Sequence, residues 1–365
     1  MRQFIRARRR TAWAGVALAV AVAAGLGTWA TDTWPFDGKD TYCWGAWEED
    51  SGPAFLSDEA VEEDGADRTS EETAPAPERQ RGRCTVALHT EDVSSGEKYV
   101  DETEITVGYG PAPKDAARRM EWAGGYLNGR AMPLPDGLPG VADGKHALLV
   151  LPERCDTGDG RPTAVTLDAK AETSSSDGTL PADPGLGGTR SVAELLVAAA
   201  NRGMEAAGCA GSKPLRVVSP VLTLPEDAES YRSPMCRIGG LELGKAAEYL
   251  EYQVGAVTRD LQFCSVRTRP GGDQYFDALM VAQPRLSALF DGATGSTAPA
   301  RGWRGTGVFA DDYKVVRADC AGRPATFLML APSLRRQTAP HFVTFTNAVT
   351  RRIGCAPVAP GGSGR

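Results

Sequence analysis

Histidine is close to absent. The 365 residues hold three, His89, His146 and His341, each far from the others. There is no His-Glu-x-x-His and no Cys-x-x-Cys, which excludes the common zinc hydrolase and zinc-knuckle patterns. A serine hydrolase needs a nucleophile turn such as Gly-x-Ser-x-Gly. The nearest strings, Gly292-Ala-Thr-Gly-Ser296 and Gly188-Thr-Arg-Ser191, do not fit it. No Gly-x-x-x-x-Gly-Lys or Gly-x-Gly-x-x-Gly is present to cradle phosphate, and no cofactor is implied. Lysine is scarce, 8 against 32 arginines.

Charge is missing from one whole stretch, residues 11–30 (TAWAGVALAVAVAAGLGTWA). A helix of about 20 residues crosses a hydrocarbon layer of about 30 Å. Trp13 and Trp29 stand near its ends, where indole rings favour the headgroup zone. Residues 1–10 (MRQFIRARRR) carry five arginines and no acid, which holds them in the cytoplasm. The expectation is a single-pass anchor over 11–30 with the rest of the chain extracellular. The alternative is a secretory signal peptide, with Ala21-Val22-Ala23 or Ala30 as the cleavage site, and a secreted product. A cytoplasmic stretch of residues 1–10 is too short to fold as a signalling domain.

Without those five arginines the chain carries 35 basic against 47 acidic residues, a charge of −12. So acidic an exterior does not suit nucleic acid. The expected partners are the membrane, through residues 11–30, and an unidentified protein or cell-wall component.

All eight cysteines follow the apolar segment: Cys43, Cys84, Cys155, Cys209, Cys236, Cys264, Cys320 and Cys355. An even count in an exported chain reads as disulfides. Their surroundings repeat in order. Cys84-Thr-Val is answered by Cys264-Ser-Val. Gly137-Leu-Pro-Gly140 precedes Cys155 at the spacing at which Gly302-Trp-Arg-Gly305 precedes Cys320. Gly160-Arg161-Pro162 is answered by Gly322-Arg323-Pro324, and Gly208-Cys209-Ala210 by Gly354-Cys355-Ala356. This pattern indicates a duplication. Four cysteines per copy allow three pairings. Loops of variable length between fixed cysteine contexts favour Cys43–Cys84, Cys155–Cys209, Cys236–Cys264 and Cys320–Cys355.

The fold class expected is α+β: an N-terminal transmembrane helix, then two related tandem modules, each a small antiparallel sheet with helices on one face and two disulfides. The first module spans 31–212 and includes an acidic loop, 48–80, expected to be mobile because its second half has almost no large apolar residue. A linker with one edge strand covers 213–232. The second module spans 233–357, and 358–365 is a disordered tail. Strands are expected at 84–88, 104–109, 146–151, 163–167, 261–267, 276–281, 314–318 and 325–330. Helices are expected at 115–122, from a capping box at Ser191 to Gly208, at 241–252, at 285–290 and at 340–353. Residues 173–188 read as a loop.

Arg161 and Arg323 close turns in both copies. They serve either as plain turn residues or as bidentate anion contacts. Trp44, Trp47 and Trp303 are core anchors or a patch for sugar or protein. The Arg-rich start with its apolar anchor, the Tyr42-Cys43-Trp44-Gly-Ala-Trp47 opening and the Gly-Cys module ends resemble uncharacterised membrane-anchored exported proteins of Streptomyces-type actinobacteria. The resemblance covers most of the chain and implies no activity. The expected function is a non-enzymatic envelope binding module. The alternatives are an enzyme acting on wall polymers or secreted substrates, and a purely structural protein.

Overall fold

Alternating and continuous apolar runs build two antiparallel sheets, preceded by a small ribbon of β1 (Thr41–Tyr42) and β2 (Trp47–Glu48). The computed structural model describes residues 40–361 apart from 63–65, 95, 225–233, 269–271 and 332–338. The expected anchor at 11–30 therefore lies outside the described residues. Among the described residues no helix is long and apolar enough to cross a membrane.

The first sheet contains β3 (Asp67–Thr73), β4 (Gly82–Ser94), β5 (Glu97–Pro111), β6 (Met132–Pro133), β7 (Gly140–Ala142), β8 (His146–Val150), β9 (Thr163–Ser175) and β10 (Gly178–Pro181). Its order is β3-β4-β5-β9-β8-β7-β6, with β10 paired to β9. The second sheet contains β11 (Leu250–Val257), β12 (Leu261–Thr268), β13 (Gln274–Val281), β14 (Thr306–Phe309), β15 (Tyr313–Asp319) and β16 (Pro324–Leu330), in the order β11-β12-β13-β16-β15-β14. Six strands of each sheet thus follow one path. The helices are α1 (Ala116–Tyr126), α2 (Thr189–Ala206), α3 (Pro284–Ser287, prolonged by a 3-10 turn to Phe290) and α4 (Ala339–Ile353).

Each half packs its long helix on the outer face of its sheet. Val192, Leu196 and Ala199 of α2 meet Ile105, Val107 and Val165, and Phe342, Phe345 and Val349 of α4 meet Val266, Phe276 and Phe327. Helices were expected on one face only. Instead α1 and α3 lie on the inner faces, where the two halves share a third core. Met120, Ala123, Leu127 and Leu148 of the first half pack there with Phe263, Leu279, Phe290 and Leu328 of the second. The reason is legible in the strands: β8, β13 and β16 are apolar almost throughout, the mark of strands buried on both faces. Each large side chain buried in this seam stabilises by about 1.5–3 kcal/mol. From Thr41 onward the chain is one compact unit.

Two arginines cross the seam in opposite directions. Arg119 of α1 is buried and donates to the carbonyls of Leu289 and Asp291 at 3.4 and 2.7 Å. Arg285 of α3 donates to both carboxylate oxygens of Asp156, at 2.9 and 2.7 Å, and to Leu151 O at 3.0 Å. Gly129 brings the first half against the edge of the second sheet. Its N–H donates to Ser265 Oγ at 2.8 Å, and a Cβ there would stand 2.4 Å from Gln253 O.

The four disulfides join Cys43–Cys84, Cys155–Cys209, Cys236–Cys264 and Cys320–Cys355, with Cα–Cα distances of 5.1, 5.3, 5.5 and 4.6 Å. They suit an oxidising, extracytoplasmic setting. The Gly-Cys repeat has a backbone cause. Gly208 and Gly354 take φ of 71° and 75° and end α2 and α4. The next N–H returns to the helix, Cys209 to Met204 O at 2.9 Å and Cys355 to Thr350 O at 2.8 Å. This glycine-terminated helix end fixes where the cysteine stands. Cys43 and Cys236 likewise share a left-handed backbone, φ 53° and 56°.

Several local expectations are corrected. The acidic segment contains β3, hydrogen-bonded along β4. Buried Arg68 ties it down, bonding Glu49 at 3.2 Å and Tyr42 Oη at 3.3 Å. Its acids Asp67, Glu71 and Glu72 face outward, as suits an edge strand. The expected helix at 241–252 is a 3-10 turn (Gly244–Tyr249) followed by β11, whose alternate residues are buried. The loop at 173–188 contains the end of β9 and the returning strand β10. Ser191 is not a cap: α2 starts at Thr189 after Gly188, without a side-chain cap. Within the described part of the linker, residues 213–224, there is no strand. Asp136 instead binds the N–H groups of Val218 and Ser219 at 2.7 and 3.0 Å. The tail packs at its start: Val358 and Ala359 are buried, and Val358 O accepts from Arg304 N at 2.9 Å.

Candidate functional site

The seam is closed by apolar side chains at its centre and opens at one end into a cleft of about 410 Å³. One wall is α1. Asp115 caps this helix, accepting from Arg118 N at 2.9 Å. Met120, Ala123 and Leu127 point into the shared core. Arg118, Glu121, Gly125 and Asn128, spaced three and four apart, line the cleft. The opposite wall belongs to the second half: Arg267 and Gln274 near the ends of β12 and β13, Asp312 and Tyr313 at the start of β15.

Asp277 is set in this second wall. β13 places it on the inner face with Leu279 and Val281, by the two-residue period of the strand. It is 3% exposed. Its Oδ2 accepts from Gln274 Nε2 at 2.6 Å, and its Oδ1 has no hydrogen-bond partner among the described residues. Burial pushes its pKa up to about 6, against the opposing pull of Ser265, Arg267 and Gln274. A half-compensated carboxyl beside a cleft is the kind of group that marks a site.

The residues singled out from sequence stand elsewhere, and none lines this cleft. Arg161 donates to Asp159 Oδ2 at 2.8 Å and to Ala112 O at 2.9 Å. Arg323 is bonded to the Asp260 carboxylate. Both guanidiniums are engaged within the protein and brace turns. Trp47 is buried, with Nε1 donating to Leu195 O at 3.1 Å. Trp44 meets Tyr109 edge-on at 6.4 Å, and Trp303 stacks on Phe342 at 5.2 Å. The three tryptophans are packing residues and form no common patch. The eight cysteines are spent in bridges.

Sequence reasoning missed Arg118, Glu121, Arg267 and Asp277. One local signal pointed to the last of them: Asp277 interrupts the otherwise apolar run Phe276–Val281. Asp312, just before β15, also borders the cleft. Among the described residues no cluster of three His, Cys, Asp or Glu side chains is placed to hold a metal ion. Neither a protein family, nor a curated protein, nor a solved structure matches this chain.

Proposed function

We propose that the protein is a membrane-tethered binding module of the cell envelope that takes a small polar ligand in the seam cleft without chemically changing it. The observation that carries this reading is Asp277, a buried carboxyl with one uncompensated oxygen beside a cleft of small-molecule size. The tether is the apolar segment 11–30 behind its five arginines, with residues 31 onward outside. The shared strand path, the matching disulfides and the matched left-handed cysteines support the origin of the two halves by duplication.

An enzyme acting on wall polymers is the second reading. It is favoured by one observation, an acid of pKa about 6 beside a cleft that also holds Glu121 and Asp312. Binding is preferred because the cleft ends against buried Met120 and Leu330, whereas a wall polymer needs an open groove.

The test is a thermal-shift screen of the full chain in detergent against small polar compounds, repeated with Gly125→Trp. A Cβ at Gly125 meets nothing within 4 Å, so the indole fills the cleft without straining the helix wall. Compounds that stabilise the wild type and not the variant support the reading. An absence of such compounds, with turnover of muropeptides, overturns it in favour of the enzyme.

A further inference from the structure

We propose that the seam cleft selects a small zwitterion, a free amino acid or dipeptide with both its ammonium and its carboxylate unmodified. This inference rests on the binding reading above and names the ligand class of the same site.

The cleft is lined by two guanidiniums, Arg118 and Arg267, and by two acids outside the core, Glu121 and Asp312. Arg118 and Glu121 are three residues apart on one helix and exposed, yet among the described residues neither has an ion-pair partner. Asp277 adds a fifth charged group, with one oxygen lacking any donor. A ligand carrying one charge satisfies one sign of this lining and desolvates the other at a cost. A zwitterion meets both. Its carboxylate suits the fork of a guanidinium. Its ammonium, entering on the Asp277 side, adds to the partial compensation that Arg267 and Gln274 give the buried carboxyl.

Size points the same way. A cleft of about 410 Å³ stands near the lower end of small-molecule sites, roughly 300–1,000 Å³. A long polymer needs an open groove, whereas this cleft ends against buried Leu330 and Met120. The wall near Gly125 is the open side, and Gly124 behind it is closed: a Cβ there would stand 2.1 Å from Leu330 Cδ1.

The test uses four probes in which each terminal charge is kept or removed: glycylglycine, its N-acetyl form, its amide, and the N-acetyl amide. Binding to the full chain in detergent is measured by isothermal titration calorimetry. Glycylglycine is expected to bind and each singly blocked form to bind about tenfold more weakly or worse, the loss of one charge-assisted contact. Arg118→Gln and Glu121→Gln, both on the exposed face of α1, are each expected to weaken the zwitterion by a similar factor while unfolding at the wild-type temperature. Gly125→Trp is expected to abolish binding. If a blocked form binds as tightly as glycylglycine and Gly125→Trp removes it, the zwitterion inference falls and the binding reading stands. If glycylglycine does not bind, or binds equally to Gly125→Trp, the inference is overturned. The broader compound screen then decides the binding reading separately.

Discussion

Asp277→Asn is the sharpest single probe of the seam. In the folded chain the carboxyl is held neutral up to a pH of about 6, against an ordinary value of 3.8. The unfolded chain therefore loses this proton about two pH units before the folded chain does. Between those values the folded state binds more protons, so stability falls as pH rises. The fall is complete above the folded value. The gap is worth about 3 kcal/mol. Asparagine keeps the shape and removes the titration. Relative to wild type, Asp277→Asn should gain about 3 kcal/mol between about pH 4 and about pH 8, approaching a plateau at the upper end. Urea unfolding of both proteins across that range measures it, and subtracting one curve from the other cancels every group they share. A difference that stays constant with pH would show that the carboxyl titrates alike in both states, against the raised value.

Other consequences are as direct. Removing Cys155–Cys209 by double serine substitution should cost about 4 kcal/mol, and removing Cys236–Cys264 slightly less, since their separations are 54 and 28 residues; denaturant titration under oxidising conditions reads both. Arg119→Met leaves two carbonyls of the second half without their donor and should cost about 3 kcal/mol, seen as a lower urea midpoint. Because the halves share a core, tryptophan fluorescence and far-ultraviolet dichroism should report one coincident unfolding transition. Two separated transitions would show independent modules. The Asp143 hydrogen bond raises the pKa of His146 despite its partial burial. The stabilisation from that pair is therefore fully present below about pH 6.5 and lost as pH rises through the folded value. His146→Gln should flatten that part of the stability profile.

The central strands were readable because their signals are local. Val, Ile, Leu and Phe cluster in β8, β12, β13, β15 and β16, and turn residues bound them. The cysteine repeat extended the reading to the disulfide pairing, because bridges tie fixed contexts. What escaped the sequence depends on distant partners. β3 has no apolar residue in Asp67–Thr73; it is a strand because β4 supplies its ladder and Arg68 finds acceptors 11 to 26 residues away. The helix expected at 241–252 failed because Tyr252 and Val254 fit either period, and the pairing with β12 decided between them. The cleft was hidden most completely. Arg118 and Glu121 meet Arg267 and Asp277 only through the packing of one half on the other, and no short window contains both walls.

The bridge at Cys43 has a mechanical meaning. A pull applied through the residues before Thr41 reaches a covalent bond after only the two-residue strand β1. From Cys43 the load passes directly to Cys84 in β4, a strand flanked on both sides by neighbours. The edge strand β3, which lies between the two cysteines in the chain and would otherwise be the first to peel, is bypassed. Tension thus enters as shear along a long internal strand instead of unzipping an edge, and a stretched molecule should yield only when several ladder bonds break together. Reduction of this one disulfide would convert a shear-resistant attachment into one that unravels from the outside.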